Sequence, residues 1–554
     1  MKPDQKEDVV KHRFVTIVLL FALILACGAG SVTPARADTT TISENFDGAL
    51  PGWTLLGSAA QDTGWLRLTP ASASQTGAAF YTTAFSTAGN VFDVQFDYAS
   101  HDGTGADGLA FFMLDGSYTP TAAGGAGSGL GYTGISGGYF GVGLDEYGGF
   151  GGRAAGVDNV AIRQGSNTSA LVSVLTTIAP VTRDGKKHVR VAFANNKVSV
   201  WIAGTLLINE QALAATLPAT VKFGFSGATG GMTNIHEVDN LTVVVRSPIL
   251  LVTQSGGTTW PCGDTWTNAC SLQTALTNAI SGDEIWAAAG TYKPTTGTDR
   301  TAAFQLRVNV AVYGGFDGVD DAARTDRNPA ANVATLSGDI GAGGNNSDNS
   351  YHVVTGATGA TLDGFTITAG NANGADNLGL GGGMFNNGSS PTVTNIIFTG
   401  NSAVGGAGMA NNSNSNPTVT NVTFTAGTAS WEGGGMGNYA SSPTVTNVTF
   451  SGNTAVNGGG GMFNSTNSTP VFKNVTFNGN SASGAGSMGG GLYNYQSSGG
   501  IQIYNTIFWG NTAVNGAQIY NRESTNVTIT NSVVAGGCPA GSTCPAIVTT
   551  DPLL

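Results

Sequence analysis

The chain is predicted to be all-β and built in two parts, an antiparallel sandwich followed by a parallel β-helix solenoid. Three observations carry that expectation. Residues 40–245 read as short alternating strands with hardly any helical period. From about residue 352 onward the sequence repeats, its Phe motif returning after 26, 26, 27 and then 31 residues. Glycine fills 84 of 554 positions, while 41 % of residues are hydrophobic and only 10 % charged. That balance belongs to turn-rich folded β structure; disorder needs high charge with low hydrophobicity. The length also exceeds what one core holds.

The first residues read as an address. Lys2, Lys6, Lys11 and Arg13 precede an apolar run over 14–26, too short to span a bilayer. Ala35-Arg36-Ala37 then supplies a small-x-small cleavage site, so residues 1–37 are expected to be a signal peptide and the protein exported. A competing signal is Ile24-Leu25-Ala26-Cys27, an imperfect bacterial lipobox that would leave Cys27 as a lipidated N-terminus; Leu25 is atypical of it. No later segment is apolar and long enough for a membrane helix. With 22 basic against 34 acidic residues, the chain lacks the basic footprint of a nucleic-acid binder and would be repelled by anionic lipid.

The sandwich is expected over residues 38–247. Residues 92–98 (FDVQFDY) alternate with period two, and residues 188–193 and 197–201 do so around Asn195-Asn196, a hairpin signal. Val245-Arg246-Ser247-Pro248 is the expected joint. After it comes one helix over 271–280, with Ser271 as cap, Leu272, Ala275, Leu276 and Ala279 on one face, and Gly282 as the stop. It is expected to cap the β-helix, whose first coils occupy 248–355. The remaining cysteines form two close pairs, Cys262/Cys270 and Cys538/Cys544. In an exported chain these read as disulfides, and local pairing costs the least loop entropy.

The repeats occupy 356–554. PTVTNIIFTGN begins at Pro391, PTVTNVTFTAG at Pro417, PTVTNVTFSGN at Pro443 and PVFKNVTFNGN at Pro470. Glycine clusters precede them, GGGMFN at 381, GAGMAN at 406, GGGMGN at 433, GGGMFN at 459 and GGGLYN at 489. A period in the twenties without a leucine scaffold predicts a parallel β-helix. Phe398, Phe424, Phe450 and Phe477, with Phe508 beyond, should then stack as an internal column. Asn395, Asn421, Asn447 and Asn474 fall at one coil position, where amides form a ladder that satisfies groups burial would leave unpaired. The Asn-x-Thr triplets, which imitate glycosylation sites, are more simply such ladder positions.

The N-terminal residues resemble the L-type (legume) lectins, which implies a concanavalin-like jelly roll. Residues 106–112 (ADGLAFF) are similar to the family's first sugar-binding loop, whose Asp accepts hydrogen bonds from sugar hydroxyls. Residues 125–132 (GAGSGLGY) are similar to its glycine loop, whose backbone N–H reaches the sugar. Residues 143–149 (GLDEYGG) stand at the calcium loop and 224–231 (GFSGATGG) at the fourth loop. The resemblance implies a carbohydrate site at Asp107, Gly108, Gly129, Gly149, Ala228 and Thr229, with Tyr132 or Tyr147 to stack on the ring. It also implies Ca²⁺ held by Asp145, the Tyr147 carbonyl and Asp158. The chain departs from the family where Gly143 replaces Glu and Gly149 replaces Asn, and Asp158-Asn159 stands where a histidine ligand should follow. A manganese-type site is therefore expected to be missing. The repeats resemble bacterial β-helix surface proteins with GGxx/FxxN motifs, akin to polymorphic outer-membrane adhesins, without the membrane barrel of autotransporter relatives.

Three other readings meet physical objections. His236-Glu237 suggests an acid/base pair, but neighbours in a strand face opposite sides. GAGSGLG has no following helix and no Lys-Ser/Thr, so it is no phosphate loop. β-Helices also host polysaccharide lyases and hydrolases, which need paired carboxylates or acids with a base. Residues 356–535 hold six charges, Asp363, Asp376, Glu432, Lys473, Arg522 and Glu523, none recurring with the coil period. The expectation is a secreted or surface-held, non-catalytic lectin or adhesin whose partners are glycans. The alternatives are a polysaccharide-degrading enzyme with a lectin-like targeting module, and a structural matrix protein without sugar binding.

Overall fold

The computed structural model describes residues 39–552 except 166, 498, 524 and 525; the predicted leader and Cys27 lie outside the described residues. Two eight-stranded antiparallel sheets form the sandwich. Phe92, Phe96, Phe111, Phe140 and Phe225 fill the space between them at no more than 1 % exposure. The hairpin at Asn195-Asn196 joins Lys187–Ala194 to Lys197–Ile202. Both turn residues have positive φ (49° and 62°), the geometry that matches strand twist and suits Asn.

One strand relates the two ends of the sandwich. Val91–His101 begins beside the joint, where Val91 pairs with Arg246 and packs with Ile280 of the next domain. It ends about 33 Å away at 3.3 Å per residue, at the loop that carries Asp107. The candidate site and the β-helix therefore sit at opposite ends of the sandwich.

The solenoid has about nine turns over residues 284–534. Its three faces are parallel sheets of 17, 8 and 5 strands, the first receiving two short strands from most coils. The helix spans Leu272–Asn278, with the Thr274 N–H donating to Ser271 Oγ at 3.1 Å. It buries Leu272, Ala275 and Leu276 against the first coils. Cys262–Cys270 and Cys538–Cys544 are both bonded, one beside this helix and one after the last full coil.

The phenylalanine column is present. Rings of Phe398, Phe424, Phe450, Phe477 and Phe508 stack at 4.8, 4.8, 4.6 and 4.7 Å with planes within 4°. It explains the glycine clusters. A Cβ at Gly435 would stand 2.7 Å from the Phe450 ring and 2.5 Å from the Gly461 carbonyl of the next coil. The asparagine ladder needs a correction. Asn395, Asn421, Asn447 and Asn474 do bond in series at 3.0–3.2 Å, but on the surface, in the left-handed bend between two strands of a coil. One buried ladder is made by the Asn that ends each glycine cluster, Asn386, Asn411, Asn438, Asn464 and Asn494, continuing to Asn521 at 2.7–2.8 Å per step; a second joins Asn453, Asn480 and Asn511 at 2.9 Å per step.

Candidate functional site

Four loops converge at the end of the sandwich away from the β-helix. Asp107 leads into the strand Gly108–Asp115, after a cis Ala106–Asp107 peptide bond. Its N–H donates to the Ala228 carbonyl at 3.1 Å and its carbonyl accepts from the Glu146 N–H at 2.9 Å. The first, third and fourth loops are thus clamped on its main chain. Gly108 has φ +131° and lies opposite both Asp145 and Ala228; a Cβ there would stand 2.2 Å from the Leu144 carbonyl oxygen. Only glycine fits.

The Asp107 carboxylate is 6 % exposed, and its Oδ2 has no hydrogen-bond partner. Glycines bracket that oxygen. A Cβ at Gly230 would lie 2.9 Å from it and one at Gly127 would lie 3.9 Å from it. Burial pushes the carboxyl up to about 6, against the pull of His236 and with help from Asp145 and Glu146. A desolvated carboxylate with an unused lone pair, walled by glycine, is a strong acceptor for hydroxyl donors.

Beneath it lies a polar cluster that sequence reasoning did not assemble. His236 Nε2 stands 3.1 Å from Glu146 Oε1, both side chains sealed from solvent. The other Glu146 oxygen accepts from Asn234 Nδ2 at 2.7 Å, and Ser100 Oγ donates to the first. Burial alone would raise the Glu146 carboxyl; the His236 charge and these donors outweigh it and hold it below the usual range. Glu237 points to the other side of the strand, to Arg67 and Arg183, as its neighbour relation to His236 requires.

The other expected residues have definite places. Gly129 is buried in a short turn, and its N–H donates to the Ala126 carbonyl at 3.2 Å. Gly149 packs on the glycine loop, where a Cβ would meet Ser128 Cβ at 2.6 Å. Ala228 is buried behind Asp107. The Thr229 hydroxyl donates to the Ser72 carbonyl and accepts from the Gln75 N–H, tying the fourth loop down. Tyr132 requires a correction: it is 0 % exposed and packed on Phe112 and Phe150, so it cannot stack on a sugar. Tyr147 is partly exposed and remains able to.

The donors proposed for calcium are already engaged. Asp145 accepts from the N–H groups of Tyr147, Gly148 and Gly151 and from Asn159 Nδ2, at 3.3, 2.9, 2.8 and 3.0 Å. The Tyr147 carbonyl accepts from the Gly156 N–H at 3.0 Å. Asp158 Oδ2 accepts from the N–H groups of Ile178 and Ala179 at 2.8 and 3.2 Å. A carboxylate has about four lone-pair sites, and those of Asp145 face four N–H donors. Ca²⁺ asks for six to eight oxygens converging on one point. Among the described residues no group of three or more His, Cys, Asp or Glu is arranged for a metal, and this donor set does not fit Ca²⁺.

Comparison with known proteins bears on the sandwich domain as a whole. Residues 51–243 match the family model of the legume lectin domain. Among solved structures, the chain is similar to a lectin from Bauhinia forficata in complex with GalNAc, at 17 % identity and TM-score 0.33, covering 38 % of this chain and 99 % of that one. It is similar to peanut lectin with a 9mer peptide, at 22 % identity and TM-score 0.31, covering 38 % and 98 %. It is likewise similar to lectin II from Ulex europaeus, at 20 % identity and TM-score 0.32, covering 38 % and 100 %. Among curated proteins no sequence matches this chain.

Proposed function

We propose that the protein is a non-catalytic glycan-binding protein that acts outside the cell, with its sugar site at Asp107 and its β-helix as a stalk. A legume lectin domain at 51–243 supports the carbohydrate-binding class. The observation that carries the site is the partnerless Oδ2 of Asp107, buried among glycines. A saccharide hydroxyl donates to it, and Gly127 and Gly230 leave the ring room to approach. The leader expected over 1–37 supports export, and no helix among the described residues is long and apolar enough to cross a membrane. A glycan array probed with the whole protein and with Asp107→Asn tests the reading. Binding by the first and not the second is expected; equal binding moves the site elsewhere.

One observation favours a second reading, polysaccharide cleavage on the β-helix. Burial pushes the Glu432 carboxyl up to about 7, and it lies next to Trp431, which is 56 % exposed. A carboxylic acid kept protonated near neutral pH is half of the carboxylate pair of a glycosidase site. Its nearest polar partner is the Asn457 amide at 2.7 Å, not a second carboxylate. Release of reducing ends from a polysaccharide panel, lost in Glu432→Gln, would favour this reading over the first.

A further inference from the structure

The place where a cation belongs in the loop 143–163 is filled by side chains. A Cβ at Gly143 would stand 2.4 Å from the Phe150 ring, so that ring occupies the space of the missing acidic side chain. Arg163, 3 % exposed, lies over the same ring at 4.2 Å. Its Nε donates to the Phe150 carbonyl at 2.9 Å, its Nη2 to the Gly149 carbonyl at 2.8 Å and its Nη1 to Thr133 Oγ1 at 2.9 Å. Thr133 closes the glycine loop, its carbonyl accepting from the Gly125 N–H. One guanidinium therefore joins the third loop to the second. Asn159, fully buried, completes the arrangement. Its Nδ2 donates to Asp145, and its Oδ1 accepts from Ser173 Oγ at 3.0 Å.

We propose that this is a metal-free sugar loop, in which the N–H groups of Asn159 and Arg163 organise Asp145 and the Gly149–Phe150 carbonyls in place of cations. Glycan binding at Asp107 is accordingly independent of divalent metal, and Arg163 is a positioning residue for the site. The argument is one of occupancy. N–H donors aimed at the Asp145 oxygens repel a cation as they attract the anion, and a phenyl ring offers it no ligand. A planar, permanently charged fork with five N–H groups can satisfy three acceptors at fixed angles, which an ammonium cannot. The consequence for glycans rests on the function proposed above; the occupancy itself does not.

The test uses the full chain, in excess EDTA and in excess CaCl₂ with MnCl₂. Thermal unfolding of the sandwich is expected to agree between the two within about 2 °C; a larger rise with metal overturns the proposal, because a specific site at saturating ion shifts the midpoint by more than that. Glycan-array signals are expected to match in the two buffers, and loss of binding in EDTA also overturns it. An array that stays dark in both buffers defeats the glycan reading, and the thermal arm still decides the metal question. On the strongest array glycan, Arg163→Gln is expected to lose at least about tenfold in affinity, with Arg163→Lys regaining part of it. Wild-type affinity in Arg163→Gln would overturn the positioning role. Should that variant not fold, the wild-type thermal comparison remains decisive.

Discussion

Arg246 grips both carboxylate oxygens of Asp283, Nη1 to Oδ1 at 3.0 Å and Nη2 to Oδ2 at 2.6 Å, with the two side chains 2 % and 0 % exposed. Arg246 ends the last strand of the sandwich, Ile235–Arg246, and Asp283 precedes the β-helix strand Glu284–Ala288. Asp283 also accepts from the Ile280 N–H at 2.9 Å. The joint between the domains is thus a bidentate, dry ion pair. Removing one partner strands the other charge in the interior.

Arg246→Ala is therefore expected to cost about 3–5 kcal/mol and to uncouple the domains. Scanning calorimetry should resolve two transitions where wild type shows more concerted unfolding. An unchanged trace would mean that the apolar contacts of Val91 and Ile280 hold the joint without the ion pair.

Phe450 stacks between Phe424 and Phe477 at 4.8 and 4.6 Å and is 0 % exposed. Phe450→Ala should cost about 3–5 kcal/mol through lost transfer energy and the cavity left behind. In a solenoid each coil contacts only its neighbours, so the damage should be local. Hydrogen exchange is expected to accelerate over coils flanking residue 450 and not in the sandwich.

Glycan affinity should depend on pH through Asp107. Its carboxyl titrates at about 6 in the folded protein, above the roughly 3.9 of an unfolded chain. The ionised form is the acceptor, so affinity should fall as pH drops through about 6. Stability runs the other way. A raised carboxyl stabilises the fold below the unfolded value and loses that contribution as pH rises through 6. Asp107→Asn should then bind at least about tenfold more weakly at pH 8 while melting no lower than wild type. Isothermal titration and a thermal scan at pH 5 and 8 check both halves.

Glu432 has the same sign. Desolvation lifts it to about 7, against the hydrogen bond from Asn457, so ionisation opposes folding as pH rises from about 4.5 towards 7. Glu432→Gln keeps an oxygen for Asn457 and removes the charge. It should raise β-helix stability at pH 8 and leave it nearly unchanged at pH 4. Equal effects at both values would place the carboxylate in contact with water.

What could be read from residues alone was what repeats or lies close in the chain. The Phe column, the helix at Ser271 and the two disulfides follow from a period, a cap and short separations. Which asparagines are buried did not, because Asn395 and Asn386 carry equal amide chemistry and only the closed coil shows which one faces inward. Tyr132 reads as a sugar-facing residue because loop residues carry no periodicity to say which way they point. The replacement of a cation by Phe150 and Arg163 was legible only as a gap at Gly143. The residues that fill it lie 7 and 20 positions further on, and the pairing of Gly138–Asp145 with Asn159–Gln164, together with the fold of the loop between them, brings them together.

The seams of the solenoid have a consequence for how such a chain can change. Residues 417–442 form one period, and the motif that follows at Pro443 nearly copies the one that opens it. Val419 pairs with Val445, Thr423 with Thr449 and Phe424 with Phe450, so a duplicated coil would meet on each side the surface it already meets. Unequal exchange between such copies would lengthen or shorten the protein in quanta of about 4.8 Å with no new core to invent. The distance from the Asp107 end to the last coil is then a heritable quantity that can be tuned by counting.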